Sequence, residues 1–267
     1  MNSTARLDKR RVAASFSRAA KSYDAAAHLQ RTVGGALMAL LPGNSAPERI
    51  VDVGCGTGHF TRRLVKRFPE AEMIGLDLAQ GMLAHARRHA PESVRWLQGD
   101  AERLPLAPHS IDLIFSSLAV QWCAGLDDFL AEAARVLRPG GWLAFTTLSA
   151  HTLHELKSVW RDIDPFVHVN EFLDCATIDA SVARAALTSV VSQHRRHVIH
   201  HATLEALMRE LKAIGAHNVN AGRARGLIGR QRLARLRARY ERLRTPDGLP
   251  TSYHTCYLLL RKPPISP

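Results

Sequence analysis

Arg49-Ile50-Val51-Asp52-Val53-Gly54-Cys55-Gly56-Thr57-Gly58 carries an apolar, β-branched run directly into three alternating glycines, and a helical pattern, Phe60–Phe68, follows at once. Strand, glycine turn and helix in that order open a βα unit. Glycine permits the tight turn and lets a ligand approach the main-chain N–H groups at the start of the helix. Outward from this point the alternation repeats. Strand-like runs at Ala71–Asp77, Val94–Asp100, Ile111–Ser117 and Gly141–Leu148 are separated by helical stretches that include Gly81–His89 and Asp127–Leu137. Alternating βα units imply a parallel sheet covered by helices on both faces. The mostly apolar first and fourth strands fit burial on both sides. The core, roughly Glu48 to Ala150, is therefore expected to be doubly wound α/β.

The flanks lack that rhythm. From Val12 to Leu41 the residues Phe16, Ala20, Tyr23 and Ala27 recur at helical spacing, and PGNSAPE (42–48) ends the pattern. Residues 1–45 are expected to form a helical cap, 46–150 the core and 151–189 an inserted lid, with 190–267 completing one domain. Within that last part, Val190–His200 reads as a strand and Thr203–Gly215 as a helix. Ser252–Arg261 reads as a final strand, expected at an edge. The chain carries a net charge of +12, so an anionic partner or substrate is expected. No apolar run reaches the roughly 18–20 residues of a membrane span, and the first residues are polar, so neither a signal peptide nor a membrane helix is expected. Cys55, Cys123, Cys175 and Cys256 show no CxxC pairing and no clustering with His along the sequence. No metal site and no disulfide framework are expected, which fits a reducing cytoplasm.

Two acids give the glycine loop a chemical direction. Asp77 ends the second strand, twenty-three positions after Gly54, where a carboxylate can accept from both hydroxyls of a ribose. Asp100 ends the third strand and is placed to meet the exocyclic amine of an adenine. Gly54, Gly56 and Gly58 give GxGxG rather than the GxGxxG of dinucleotide folds. No basic residue inside the loop holds a phosphate, and Asp52 precedes it. Such a loop favours a nucleoside cofactor with a cationic end, S-adenosylmethionine, over NAD.

These residues resemble the class I S-adenosylmethionine methyltransferases, through VDVGCGTG (51–58), GLDLAQGML (75–83), QGDAERLPL (98–106) and RVLRPGGWLAF (135–145). The resemblance implies a seven-stranded sheet with the last strand inserted antiparallel. It places Asp52, Gly54 and Gly56 at the methionine end and Asp77 on the ribose, with Leu78 and Met82 beside the adenine. Asp100 and Ala101 would meet the adenine ring, and Ser116 would lie under the sulfonium.

Outside these motifs the chain resembles the malonyl-acyl-carrier-protein O-methyltransferases of biotin synthesis. The matching stretches are VAASFSRAAKSYDAAAHLQR (12–31), HELKSVWRDID (154–164), HVNEF (168–172), LMRELKAIGAHNV (207–219), GRARGLIGR (222–230) and GLPTSYHTCYLLLRKP (248–263). Gln80 stands where a small hydroxyl residue is commoner, and His254 where an acid is expected. The resemblance implies methylation of the free carboxylate of malonyl-acyl carrier protein. A carboxylate is already ionised at neutral pH, so positioning donors are expected rather than an acid–base pair. Tyr23, in the segment that the resemblance makes a lid, is the leading donor, and His168 and Asn170 are further candidates.

Residues 222–244 hold nine Arg and one Glu. Leu233, Leu236, Tyr240 and Leu243 form an apolar stripe beside Arg232, Arg235, Arg239 and Arg242. The resemblance makes this face the docking surface for an acidic acyl carrier protein, at Arg232, Arg235 and Arg239. RNA is the rival partner, but no aromatic-interleaved basic surface accompanies the charge, and nucleic acid is not expected. The stripe is too narrow for a membrane anchor. Other acceptors weighed are another small acid and, by C-methylation, a quinone; the non-enzyme alternatives are an RNA-binding methyltransferase fold and an S-adenosylmethionine-binding regulator.

Overall fold

Seven strands form one sheet in the order β3-β2-β1-β4-β5-β7-β6, in a computed structural model that describes residues 8–216 and 229–264. They are β1 (Arg49–Val53), β2 (Glu72–Asp77), β3 (Arg95–Gln98), β4 (Ile111–Ser117), β5 (Leu137–Leu148), β6 (Thr188–His201) and β7 (Leu249–Arg261). The first five are mutually parallel. β7 runs antiparallel between β5 and β6, as the methyltransferase resemblance implies.

β7 is thus not the edge strand that its composition suggested; β6 is. The reason is two-sided burial. Tyr253, Tyr257 and Leu259 pack into the apolar cluster on one face, and Cys256, Leu258 and Leu260 into that on the other. A strand apolar on both faces belongs inside a sheet. β6, with Gln193, His194, Arg195 and Arg196 mostly exposed, has the charge-laden character that protects an edge.

The helices are α1 (Lys9–Ala19), α2 (Tyr23–Ala26), α3 (His28–Leu40), α4 (His59–Arg67), α5 (Gln80–Arg87), α6 (Leu126–Val136), α7 (His154–Arg161), α8 (Cys175–Arg184), α9 (Leu204–Ala213) and α10 (Arg230–Glu241). α6 and α8 cover one face of the sheet, and α3, α4, α7, α9 and α10 the other. Among the described residues no helix is long and apolar enough to cross a membrane. Residues 1–7 of the cap, the His217-Asn218-Val219 end of the 207–219 match and most of GRARGLIGR lie outside the described residues.

The opening segment has one helical periodicity but three helices. Asp8 caps α1 by accepting from the N–H groups of Arg10 and Arg11 at 3.0 and 3.2 Å. After Ala19 the chain breaks, and the Ser22 hydroxyl donates to the carbonyls of Ala19 and Ala213. α1 crosses α5 at Gly81, where an added Cβ would lie 2.7 Å from the Ser17 backbone. That close approach seats α1 over the carboxyl ends of the central strands.

Candidate active site

The carboxyl ends of β1, β2 and β4 open into a cavity, the usual position of a ligand in an open α/β sheet. Gly54, Gly56, Asp77, Leu78, Met82, Asp100 and Ala101 all line it, so most of the predicted cofactor residues come together. The Asp77 carboxylate accepts from the Gly56 N–H at 2.8 Å and the Ala79 N–H at 2.7 Å. Burial raises its pKa above the ordinary value, against those N–H groups, which lower it. A carboxylate with two oxygens and about four lone-pair directions still has capacity for two hydroxyls. Met82 and Leu78 give an apolar wall on which a purine can rest. This arrangement fits the adenosine half of S-adenosylmethionine.

The roof comes from α1, which the glycine motif gives no means to foresee. Lys9, Val12, Ala13 and Phe16 line the cavity, and Phe16 meets Trp122 edge-on with ring centroids 5.3 Å apart. Lys9 lies 2.5 Å from Asp100 and also pairs with Glu102. Burial alone would lower the Lys9 pKa, but these two acids outweigh it and raise it. One Asp100 oxygen is therefore engaged by a cation of the lid rather than being open toward an adenine amine.

Three predicted residues stand behind the wall instead of on it. Asp52 is 2% exposed and accepts from the Thr61 hydroxyl at 2.6 Å. Burial pushes its carboxyl up to about 7, with Asp77 adding to the shift and Thr61 opposing it. Gly58 caps α4 in the left-handed region at φ 76°, with an added Cβ 2.9 Å from Trp96; it makes the turn. Ser116 is fully buried and donates to the Val53 carbonyl at 2.8 Å. Its neighbour Ser117 lines the cavity, because adjacent side chains on a strand point to opposite faces.

A second hollow shares Tyr23, Gly54, Gly56 and Ser117 with the first. Asp24, Gln30, Arg31, Thr57 and His59 also line it. Tyr23 therefore sits where the two meet. Burial, then the negative charges of Asp77 and Asp24, raise its phenol pKa, so the hydroxyl keeps its proton and can act as a donor. Arg31 donates to the Asp24 carbonyl at 2.6 Å and approaches His28 Nδ1 at 3.2 Å. The Asp24 side chain accepts from Thr57 at 2.7 Å. Burial and the neighbouring Arg63 and Arg62 lower the His59 pKa, keeping it neutral at pH 7. Sequence reasoning missed Arg31, Gln30 and His59. The only signal available was that Gln30 and Arg31 close the same opening match that contains Tyr23.

His168 and Asn170 do not join this site. His168 stacks on Trp160 at 3.6 Å between centroids and bonds Asp164 Oδ1 through Nε2 at 2.7 Å. His168 lines a separate hollow with Lys157, Trp160, Phe166 and Phe172. Asn170 is 6% exposed, and its Oδ1 has no hydrogen-bond partner among the described residues. The helix-to-loop turn at Asp164 binds His168 locally, apart from the cavity at Tyr23.

α10 buries Leu236 and Tyr240 and half-buries Leu233, and Leu243, expected on the same stripe, lies exposed beyond its end. Its cations are not all available to a partner. Arg239 pairs with Asp162, Arg237 with Glu205, and Arg232 lies 3.6 Å from Asp164. Arg235 is exposed and has no ion pair among the described residues.

Known proteins agree with this geometry. A methyltransferase-domain family profile matches residues 51–145. The biotin biosynthesis bifunctional protein BioHC of Cellvibrio japonicus is 47% identical over 96% of the chain, which spans 51% of that protein; the chain is about half the length of such bifunctional relatives. The malonyl-[acyl-carrier protein] O-methyltransferase of Methylococcus capsulatus is 44% identical over 88% of the chain and 87% of its own length. The S-adenosylmethionine-dependent methyltransferase of Mesorhizobium loti shares the fold, with a TM-score of 0.51 at 21% identity over 85% of this chain and 96% of that one. With the cofactor cavity assembled and relatives of this similarity covering nearly all of both chains, the protein belongs to the malonyl-[acyl-carrier protein] O-methyltransferase family of S-adenosylmethionine-dependent enzymes.

Proposed function

We propose that the chain methylates the free carboxylate of malonyl-acyl carrier protein, giving the methyl ester used in biotin synthesis. The observation that carries this reading is the meeting of two hollows at Tyr23, one lined by the nucleoside-binding acids and the other by Arg31, Gln30 and neutral His59. Family membership supplies the acceptor.

S-adenosylmethionine, when bound, supplies an electrophilic methyl group. Asp77, Gly54, Gly56, Leu78 and Met82 would hold it, with Asp52 supporting the loop from behind. A malonyl carboxylate has an ordinary pKa near 4 and is already the nucleophile at pH 7, so the chain needs no general base. Its work is orientation and water exclusion. Tyr23 donates its phenolic proton in a hydrogen bond to one carboxylate oxygen, leaving the other to react. Arg31 compensates the substrate's charge from the far side of the second hollow. Lys9, Phe16 and Trp122 close the roof against water.

The acidic carrier docks on the face of α10 that includes Arg232, Arg235 and Arg239, with Arg235 the cation most available to it; charge complementarity of this kind accelerates encounter. The cytoplasm is the compartment in which this substrate is met. The test is mass spectrometry of malonyl carrier protein incubated with enzyme and S-adenosylmethionine. A gain of one methylene on the malonyl group, removed by mild base, is expected. A carrier left unmodified by enzyme that binds cofactor would overturn the reading, as would methyl transfer to RNA.

A further inference from the structure

Away from both hollows, the fold gathers a group of side chains that the sequence keeps far apart. Among the described residues, Cys175, His194 and Cys256 bring one ligand atom each to within 4.8 Å of one another. Three elements supply them. Cys175 is the first residue of α8, His194 lies in β6, and Cys256 lies opposite His194 in the β6–β7 register. No CxxC spacing announces them, which is why the sequence led to the expectation of no metal.

The geometry is directional. Cys256 Sγ lies 3.3 Å from His194 Nδ1. The other ring nitrogen, Nε2, faces Asp179 Oδ2 at 3.6 Å. Asp179 is one helical turn beyond Cys175 on α8, and its other oxygen is 3.4 Å from the Ser192 hydroxyl. Metal-bound histidines characteristically donate their second N–H to a carboxylate, which fixes tautomer and ring orientation. Zinc–sulfur bonds of about 2.3 Å and zinc–nitrogen bonds of about 2.0–2.1 Å in a tetrahedron put neighbouring ligand atoms roughly 3.5–3.8 Å apart. The three ligand atoms therefore need to draw in by no more than about 1 Å to embrace one ion. Cys256 is buried and Cys175 half-buried, whereas the side chains of His194 and Asp179 are 40% and 50% exposed. A cation can reach the thiols from the solvent side past the imidazole.

We infer that Cys175 Sγ, Cys256 Sγ and His194 Nδ1 form a binding site for a thiophilic divalent cation of the zinc type, with Asp179 holding the histidine. Two soft sulfurs and an imidazole select zinc over magnesium or calcium. Each thiol releases its proton to solvent as the ion binds, and the histidine binds neutral. A fourth position is left for water. None of the three residues lines either hollow at Tyr23, so the site does not serve the methyl transfer. It ties α8 to the two outermost strands of the sheet, opposite the parallel half that holds the cofactor.

The test uses the full chain without an affinity tag, reduced and stripped of metal, titrated first with cobalt(II) and then with zinc. One equivalent of cobalt should produce thiolate-to-cobalt charge-transfer absorption and the strong visible bands of a tetrahedral ion, and zinc should displace it one for one. Cys175→Ser and His194→Gln should each weaken binding at least about 100-fold, and Asp179→Asn about 10- to 100-fold with the thiolate band retained. Unchanged S-adenosylmethionine affinity certifies the fold of each variant, and the exposed positions 194 and 179 give the test two substitutions with little packing consequence. Absence of a thiolate band would overturn the inference. So would a band equally strong in Cys175→Ser, or a Cys175–Cys256 disulfide persisting in the metal-saturated, reduced protein.

Discussion

Asp77→Ala is the sharpest perturbation of the cofactor site. The wild-type carboxylate accepts one main-chain N–H on each oxygen, Gly56 on Oδ2 and Ala79 on Oδ1. An ionised carboxylate offers about four lone-pair directions, so about two are left, one per ribose hydroxyl. Each charged hydrogen bond contributes about 1.5–3 kcal/mol, so losing both costs about 3–6 kcal/mol and raises the cofactor Kd by about 10²- to 10⁴-fold. Calorimetric titration of S-adenosylmethionine measures it, at a temperature where melting curves show the variant folded. Asp77→Asn provides the control. Its amide must turn an NH₂ toward either the Gly56 or the Ala79 N–H, so it should lose thermal stability while keeping one good acceptor. Its affinity should fall by less than that of the alanine variant. Because burial raises the Asp77 pKa, acidification should protonate it before an ordinary aspartate. Cofactor affinity should therefore drop on the acid side in wild type and stay flat in Asp77→Asn. A Kd for Asp77→Ala within twofold of wild type would refute the ribose assignment.

Tyr23→Phe should lower turnover by about 10- to 150-fold, the worth of one hydrogen bond to a charged group at about 1.5–3 kcal/mol, with cofactor affinity intact; unchanged turnover would make Tyr23 a packing residue. Arg235→Glu should raise the apparent KM for malonyl carrier protein by about two- to fivefold at low salt, as a rim charge worth up to about 1 kcal/mol does, and should spare a small malonyl thioester. Equal effects on both substrates would remove α10 as the docking face. Asp52 carries the remaining expectation. Its folded pKa of about 7 stands above the ordinary 3.8, so the folded state holds a proton that the unfolded state releases. The associated stability is complete below pH 4 and lost as pH rises through 7, about 4 kcal/mol in all. Asp52→Asn, which keeps an acceptor for Thr61, should flatten that loss in denaturant melts at pH 5 and pH 8; a pH-independent gap between variant and wild type would contradict it.

The parts of the site legible in the sequence are those encoded by local geometry. A glycine turn after a strand and acids at strand ends need no distant partner, and Gly54, Gly56, Asp77 and Asp100 all reach the cavity. Ser117 rather than Ser116 lines the cavity because a strand's alternation decides which of two serines faces it, and the run Ile111–Ser117 is apolar enough to hide the phase. His168 lies apart from the cavity for a different reason. Its partner Asp164 is four residues earlier and its stacking partner Trp160 eight, so a local turn competes with any role in ligand binding, and the local contact wins. The position of β7 rested on a choice that β propensity does not make. The buried run Cys256–Leu260 favours an interior strand, yet its neighbours β5 and β6 are known only from the fold.

The division of labour along the chain follows from where the lid sits. Residues 51–145, which match the general methyltransferase-domain profile, build the floor of the cavity and give its roof only Trp122. Lys9, Phe16, Tyr23 and Arg31 all precede the glycine loop. They reach the site because α1 lies on α5 at Gly81, with no side chain there to hold it off; a Cβ would collide with Ser17 Cα, Cβ and carbonyl oxygen, each at 2.7 Å. The side of the cavity away from the glycine loop is therefore supplied by the opening helices, admitted by one glycine of the core. On the proposed reading, the opening match rather than the glycine loop carries the information about the acceptor.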